Sequence, residues 1–179
     1  MAKSDLEAPI QVVACLNDKE SIRVLHVDDD ACLLKVADEC LKMEGPFEVD
    51  DALSVDEALN KMKEKEYDAV VSDYQMPGKD GLEFLSLLRK KGNGIPFIIF
   101  TGRGREEVAI KALNLGADQY LNKAGDPETV YCELAHAIRQ ALDRRSAQIE
   151  LLKREAKLNA IIESVPEAII ITGLDGKIV

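Results

Sequence analysis

Short apolar runs alternate with longer amphipathic segments between residues 22 and 143. This alternation is typical of βαβ units, in which a helix returns the chain to the same edge of a parallel sheet after each strand. The pattern predicts five strands and five helices. The strands are expected at residues 22–27, 47–51, 68–72, 95–101 and 117–121.

The order of these strands follows from how their apolar residues are distributed. Four of the five are almost continuously apolar, as expected for strands that helices cover on both faces. The second, FEVDD at residues 47–51, alternates polar and apolar residues instead. An alternating strand is best placed at an edge, and the order 2-1-3-4-5 puts it there. We therefore expect an α/β fold with a doubly wound parallel sheet.

Capping residues support the predicted helices. Ser54 with Glu57 predicts a capping box, and Asp30 is expected to cap the first helix. Asp126 followed by proline predicts the start of the fifth helix, while Gly116 indicates a helix end.

Both ends of the chain extend beyond this unit. Residues 1–21 lack clear periodicity and are expected to form a mobile leader, whereas residues 139–164 contain few helix breakers and should prolong the fifth helix. Apolar residues follow a rough heptad pattern there at Ile138, Leu142, Ile149, Leu152 and Ala156. About two heptads are fewer than a stable coiled coil needs, so weak pairing of two copies is the expectation.

Composition narrows the possible partners. The chain has 179 residues and a formal net charge of -10, which argues against binding to a nucleic-acid backbone. No apolar run approaches the ~18 residues of a membrane span, and the acidic start does not resemble a signal peptide. The four cysteines form no C-x-x-C pair, which favours free thiols in a reducing compartment: Cys15, Cys32, Cys40 and Cys132. We expect a cytoplasmic protein.

Acidic residues follow two strands that should be neighbours. Asp73 ends the third strand, and Asp28, Asp29 and Asp30 follow the first. In the predicted order these strand ends converge at the carboxyl edge of the sheet. Two carboxylates 4 Å apart repel each other by roughly 1 kcal/mol in water and by more at a lower dielectric constant. A divalent cation offsets this repulsion, and the hard oxygen ligands suit Mg²⁺.

Two further strand ends add groups that bind phosphate. Thr101 ends the fourth strand, and Lys123 follows the fifth. Each residue alone is more often a surface or capping residue than part of a site. Beside a carboxylate and a cation, however, a hydroxyl and an ammonium can bind one phosphoryl group together.

With these residues, the segment 22–143 resembles a response-regulator receiver domain, the phosphoacceptor module of two-component signalling. The resemblance rests on Asp28 and Asp29, on SDYQMPGKDG around Asp73, on Thr101, and on GADQYLNK around Lys123. It implies a flavodoxin-like fold and transfer of a phosphoryl group to Asp73. The donor would be a phosphohistidine on a histidine kinase or a phosphotransfer protein.

The resemblance also implies roles for the surrounding residues. Asp29, Asp73 and the main-chain carbonyl of Gln75 would bind Mg²⁺, with Asp28 acting partly through water. Lys123 would pair with Asp73 and then with the phosphoryl group. Such a domain is not a conventional enzyme: at most it catalyses its own phosphorylation from phosphohistidine and its own slow dephosphorylation.

A switch is implied as well. Thr101 would move toward the phosphoryl group and vacate space into which Tyr120 can rotate, changing the face formed by helix four, strand five and helix five. The alternative is that Tyr120 is a half-buried strand residue whose hydroxyl lies in water.

The C-terminal stretch LNAIIESVPEAIIITGLDGKIV resembles the beginning of a PAS sensor domain. Residues 144–164 would then be a signalling helix, and residues 165–179 the truncated start of a domain whose downstream output region lies outside this chain.

Two other functions share parts of the pattern. A phosphohydrolase of the haloacid dehalogenase type uses an aspartate nucleophile and Mg²⁺, but places a DxD pattern after strand one. A flavodoxin-like nucleotide binder needs a phosphate loop rich in glycine or hydroxyl groups, whereas VDDDA would repel a phosphate without a metal.

Overall fold

The computed structural model describes residues 21–102 and 106–164, with side chains described up to residue 160. Its strands are β1 (Ile22–Val27), β2 (Phe47–Ala52), β3 (Ala69–Ser72), β4 (Phe97–Thr101) and β5 (Gln119–Asn122). Its helices are α1 (Ala31–Glu44), α2 (Val55–Glu64), α3 (Gly81–Lys90), α4 (Glu106–Asn114) and α5 (Pro127–Ser164). All ten predicted elements are present.

The five strands form one parallel sheet in the order β2-β1-β3-β4-β5, which confirms the predicted topology and the edge position of β2. In this order β1 and β3 are direct neighbours, with Val27 opposite Ser72. The next residues, Asp28 and Asp73, therefore leave the sheet side by side.

Helices cover both faces of the sheet and bury one apolar core on each. The core under α1 and α5 contains Leu41 and Leu134, and the core under α2, α3 and α4 contains Phe84 and Ala112. Because β1, β3 and β4 are covered on both sides, their residues are almost all apolar. This packing fixes the strand ends on which the polar side chains sit.

One capping prediction was wrong. Ser54 accepts a hydrogen bond from the Glu57 amide at 3.3 Å, but the Glu57 carboxylate accepts from Leu53 instead of returning to Ser54. The reciprocal capping box lies at the start of α3, where Asp80 and Glu83 each accept from the other's amide, at 2.8 and 3.0 Å. Glu57 also pairs with Lys61 at 2.9 Å, so both of its carboxylate oxygens have partners other than the Ser54 amide.

The other helix boundaries match their sequence signals. Asp30 caps α1 by accepting from the amides of Cys32 and Leu33. Asp126 accepts from the Thr129 amide at 3.3 Å in the first turn of α5. Gly116 has a φ of 90° just beyond α4, in the left-handed region that glycine adopts easily.

Two carboxylates connect strands at the amino edge of the sheet. Asp68, just before β3, accepts from the Arg23 amide at 2.9 Å, and Asp118, just before β5, accepts from the Phe97 amide at 2.8 Å. Each acid satisfies a backbone donor that the strand ladder leaves unpaired.

Helix α5 extends far beyond the sheet. It has 38 residues, which at the α-helical rise is about 57 Å. Its buried positions end near Ala141, and residues 146–160 are all exposed. The exposed stretch includes four large apolar side chains, Ile149, Leu151, Leu152 and Leu158.

The expected leader (1–21, except Ser21) and the expected PAS start (165–179) lie outside the described residues. None of the described helices is both long enough and apolar enough to cross a membrane.

Candidate functional site

Backbone hydrogen bonds hold the polar residues at the carboxyl edge of the sheet. The amide of Asp28 donates to Ala52 at 3.0 Å, that of Asp73 to Val27 at 2.8 Å, and that of Lys123 to Thr101 at 3.0 Å. Each bond continues the strand pairing one residue beyond the strand. The three side chains therefore start from fixed backbone positions.

The ammonium group of Lys123 lies between two carboxylates. Its Nζ contacts Oδ2 of Asp28 and lies 2.8 Å from Oδ1 of Asp73. The three side chains are only 13%, 3% and 10% exposed, in the order Lys123, Asp28, Asp73. Little water screens this cluster, so the cation offsets a carboxylate repulsion that would otherwise oppose folding.

Backbone donors orient the remaining carboxylate oxygens. Oδ1 of Asp28 accepts from the Asp30 amide at 2.9 Å, and Oδ2 of Asp73 accepts from the Gln75 amide at 2.6 Å. Each carboxylate thus has one oxygen held by the backbone and the other held by Lys123. The main chain of Gln75, whose carbonyl was expected near a metal, lies beside Asp73.

An open cleft of about 860 Å³ surrounds this cluster. It brings together six residues predicted from the sequence, namely Asp28, Asp29, Asp73, Gln75, Thr101 and Lys123. Thr101 is only 1% exposed, whereas Asp29 is exposed. Sequence reasoning did not predict Leu33, Tyr74, Met76, Asp80 or Gly102 in the lining, although each lies within five residues of a predicted position.

The oxygen donors of this cleft fit Mg²⁺. Among the described residues, no three acidic, histidine or cysteine side chains lie close enough to enclose a metal ion by themselves. Mg²⁺ does not require such a cage, because it usually takes one or two protein carboxylates and completes its shell with water and phosphate oxygens. The two buried carboxylates of Asp28 and Asp73, with Asp29 beside them, supply that donor set.

Glycine at position 81 lets helix α3 start directly on the backbone of Asp73. A Cβ at Gly81 would lie 2.2 Å from the carbonyl oxygen of Asp73 and 3.2 Å from Cδ1 of Ile99. The Gly81 amide also donates to Tyr74 at 3.0 Å. Any larger residue would push α3 away from the loop that holds Asp73.

Tyr120 lies on β5, outside the lining of the cleft, and its hydroxyl is buried. The Tyr120 hydroxyl has no hydrogen-bond partner, and the ring packs against the core under α2, α3 and α4. Burial raises the pKa of Tyr120, with smaller contributions from Tyr74 and Asp73. The alternative in which this hydroxyl lies in water does not hold. A buried donor without an acceptor costs about 1–3 kcal/mol.

His26 contributes no charge to the site. It is 1% exposed, its ring lies 6.4 Å from that of Phe100, and neither ring nitrogen has a partner. Burial, with a smaller effect of Lys123, lowers its pKa to about 3. The imidazole is therefore neutral at physiological pH.

Comparison with known proteins places this geometry in a family. Residues 24–139 match the model of the response regulator receiver domain. The transcriptional regulatory protein PrrA of Mycobacterium leprae is 36% identical over 127 residues, which are 71% of this chain and 52% of that protein. The phosphate regulon transcriptional regulatory protein PhoB of Klebsiella pneumoniae is 31% identical over 120 residues, 66% of this chain and 52% of that protein. The chain thus spans about half the length of these relatives.

Solved structures of response regulators and their receiver domains are also similar to this chain. A receiver domain protein from Clostridium thermocellum has a TM-score of 0.63 at 30% identity and covers 71% of this chain and 98% of its own. The response regulator TrrA from Thermotoga maritima, solved in complex with Mg²⁺ and BeF, has a TM-score of 0.59 at 31% identity and covers 67% of this chain and 98% of its own. With its sheet order, its acidic cleft and these matches, the chain belongs to the response regulator receiver domain family and has the role of a phosphoacceptor module.

Proposed function

We propose that Asp73 is the phosphoacceptor and that the donor is a phosphohistidine on a histidine kinase or a phosphotransfer protein. The observation that carries this proposal is the position of the Lys123 ammonium, which holds Asp73 and Asp28 at the base of an open cleft. In the reaction a carboxylate oxygen of Asp73 attacks phosphorus. The P–O bond of an acyl phosphate forms while the P–N bond to imidazole breaks, and the imidazole leaves with the electron pair.

The surrounding residues stabilise the transferred group. The Lys123 ammonium, already against Asp73, pairs with a phosphoryl oxygen, and the Thr101 hydroxyl donates to another. Mg²⁺ would be held by Asp29, Asp73 and the main-chain carbonyl of Gln75, with Asp28 acting partly through water. When bound, the ion neutralises charge on the phosphoryl oxygens.

Thr101 and Tyr120 form the proposed switch. The Tyr120 hydroxyl is buried without a partner, so this side chain gains a hydrogen bond if it moves to a site that offers one. If Thr101 moves toward the phosphoryl group, it leaves a space into which the Tyr120 side chain can rotate. The face formed by α4, β5 and α5 would then report phosphorylation to the next partner.

A small phosphodonor separates this function from the alternatives. Incubation with phosphoramidate and Mg²⁺ is expected to give one stable aspartyl phosphate per chain, measured by mass spectrometry. Rapid release of many equivalents of phosphate would instead indicate a hydrolase of the haloacid dehalogenase type. An unmodified chain that binds a nucleotide would indicate a flavodoxin-like binder.

Replacement of Asp29 by asparagine tests the metal site. We expect the variant to bind Mg²⁺ about tenfold more weakly, because a hard cation loses one of its few protein carboxylates, and to be phosphorylated more slowly. Without metal it should be at least as stable as the parent, because one acid fewer repels its neighbours. Calorimetric Mg²⁺ titration and thermal unfolding in EDTA measure both effects. Clear destabilisation in EDTA would mean that Asp29 holds the fold together instead.

The exposed extension of α5 supports a weak homodimer. Ile149, at the edge of the contact with the receiver, and Leu152 beyond it lie on one side of the helix, and both remain exposed in the single chain. Pairing two extensions would bury them. Sedimentation of the full chain against a chain ending at Arg144, each with and without beryllofluoride, measures the pairing. We expect association at high micromolar concentration for the full chain alone, and equal monomer masses in all four samples would contradict the dimer.

The remaining assignments rest on sequence. Residues 144–164 would be a signalling helix that leads to a PAS domain beginning near residue 165, followed by an output region outside this chain. Cys32, Cys40 and Cys132 are free thiols, which supports a cytoplasmic location. Detection of the full-length protein in the cytosolic fraction of its cell tests this location.

A further inference from the structure

The extension of α5 contacts the receiver at the amino edge of the sheet, opposite the cleft. A groove of about 370 Å³ lies there between the extension and the loops that precede β3 and β4. From the helix, Leu142, Arg145 and Ile149 line this groove, and from the loops, Tyr67 and Ile95 do. Leu142, Arg145 and Ile149 are spaced by three and four residues, so they lie on one helix face.

Arg145 approaches Gly94, which lies between the two groove residues Asn93 and Ile95. A Cβ at Gly94 would lie 2.8 Å from Nη1, 3.8 Å from Cζ and 3.9 Å from Nη2 of Arg145. The guanidinium group therefore occupies the space that a side chain at position 94 would fill, with Nη1 as its closest atom. Arg145 is also the last half-buried residue before the fully exposed stretch 146–160.

The loop that carries Gly94 is itself held in place. Arg89 donates to the main-chain oxygens of Asn93 and Gly116, each at 2.8 Å, and the Asn93 side chain accepts from the Ile95 amide at 2.9 Å. These hydrogen bonds fix the loop around Gly94, so a group that packs against Gly94 keeps its position relative to the sheet.

We propose that the contact between Arg145 and Gly94 locks the extension of α5 to the receiver, so that the helix from residue 142 onward moves with the sheet as one rigid body. The end of the compact domain near residue 143 is then not a hinge. A signal passes to whatever follows the helix by movement or association of whole receivers and not by bending at this point.

Hydrogen exchange of the full chain, measured by mass spectrometry, tests the lock without any phosphodonor, so the result does not depend on the proposed acceptor. In Gly94→Ala and in Arg145→Ala, we expect the amides of residues 142–150 to exchange about tenfold faster than in the parent. Arg144→Ala is the matched control, because Arg144 is an exposed arginine one position away on the same helix. Its exchange should equal that of the parent.

Two outcomes would overturn the proposal. Parental exchange in both Gly94→Ala and Arg145→Ala would show that the contact does not hold the helix. Equal acceleration in Arg144→Ala and Arg145→Ala would show that losing either arginine weakens the helix in general. Gly94→Ala keeps the helix sequence intact and Arg145→Ala keeps the loop intact, so a folding defect in one variant leaves the other to decide.

Discussion

Asp73→Asn is expected to lose phosphorylation by small phosphodonors completely. The amide cannot form the acyl phosphate, and the carboxylates of Asp28 and Asp29 remain in the cleft as the nearest competing acceptors. The measurement is the mass increase of the intact chain after incubation with phosphoramidate and Mg²⁺, supported by fluorine spectra of the beryllofluoride complex. The expected result is a single adduct in the parent and no adduct in the variant.

Asp143→Asn is the control for this experiment, since it removes the same charge from an exposed position on α5. It should be phosphorylated like the parent. Asp73→Asn leaves Lys123 paired with Asp28 alone, so its unfolding temperature should not fall, and loss of the adduct cannot then be ascribed to misfolding. Modification of Asp73→Asn at the parental rate would show that another residue accepts the phosphoryl group.

Lys123→Ala is expected to lower the free energy of unfolding in EDTA by roughly 3 kcal/mol. Removing one partner of a buried ion pair leaves an uncompensated charge and typically costs about 3–5 kcal/mol. Here the loss leaves two carboxylates, those of Asp28 and Asp73, facing each other with little exposure to water. Millimolar Mg²⁺ should recover part of the loss, because the cation replaces the ammonium. Urea unfolding with and without Mg²⁺ measures both quantities.

Lys65→Ala provides the matched control. Lys65 also pairs with a carboxylate at 2.8 Å, that of Asp50, but its side chain is 61% exposed. An exposed pair contributes about 0–1 kcal/mol, so this variant should stay close to the parent. The double variant Asp73→Asn, Lys123→Ala should be more stable than Lys123→Ala, since it removes one of the two facing acids. If Lys123→Ala and Lys65→Ala have equal effects, the ammonium is not essential to the fold.

The sequence was sufficient to predict the sheet and the residues at its carboxyl edge. Apolar runs that end in Asp28, Asp73 and Thr101 indicate both where each strand stops and which side chains meet, because parallel strands end at one edge. The residues that were missed depend on the path of the loops. Leu33, on α1, and Tyr74, in the loop after β3, both line the cleft. Their positions depend on the path of the chain after each strand, which a local sequence pattern does not predict.

Contacts between distant segments were equally hidden. That Lys123 would contact Asp28 as well as Asp73 requires the exact separation of three strand ends. The periodicity of residues 139–164 predicted a continuing helix, yet it did not show that Arg145 would lie on Gly94, since glycine leaves no sign in a hydrophobic pattern. The capping box was assigned to Ser54 and Glu57 although Asp80 and Glu83 have the same spacing and form it.

The acids at the two edges of the sheet have different roles, and this difference allows the binding site to be engineered separately from the fold. At the amino edge, the carboxylates of Asp68 and Asp118 accept hydrogen bonds from backbone amides of neighbouring strands. At the carboxyl edge, Asp28 and Asp73 each have only one oxygen held by the backbone, and the other contacts the ammonium of Lys123. Residues at the carboxyl edge can therefore be substituted to change which ligand binds, while the acids that connect the strands at the amino edge stay unchanged.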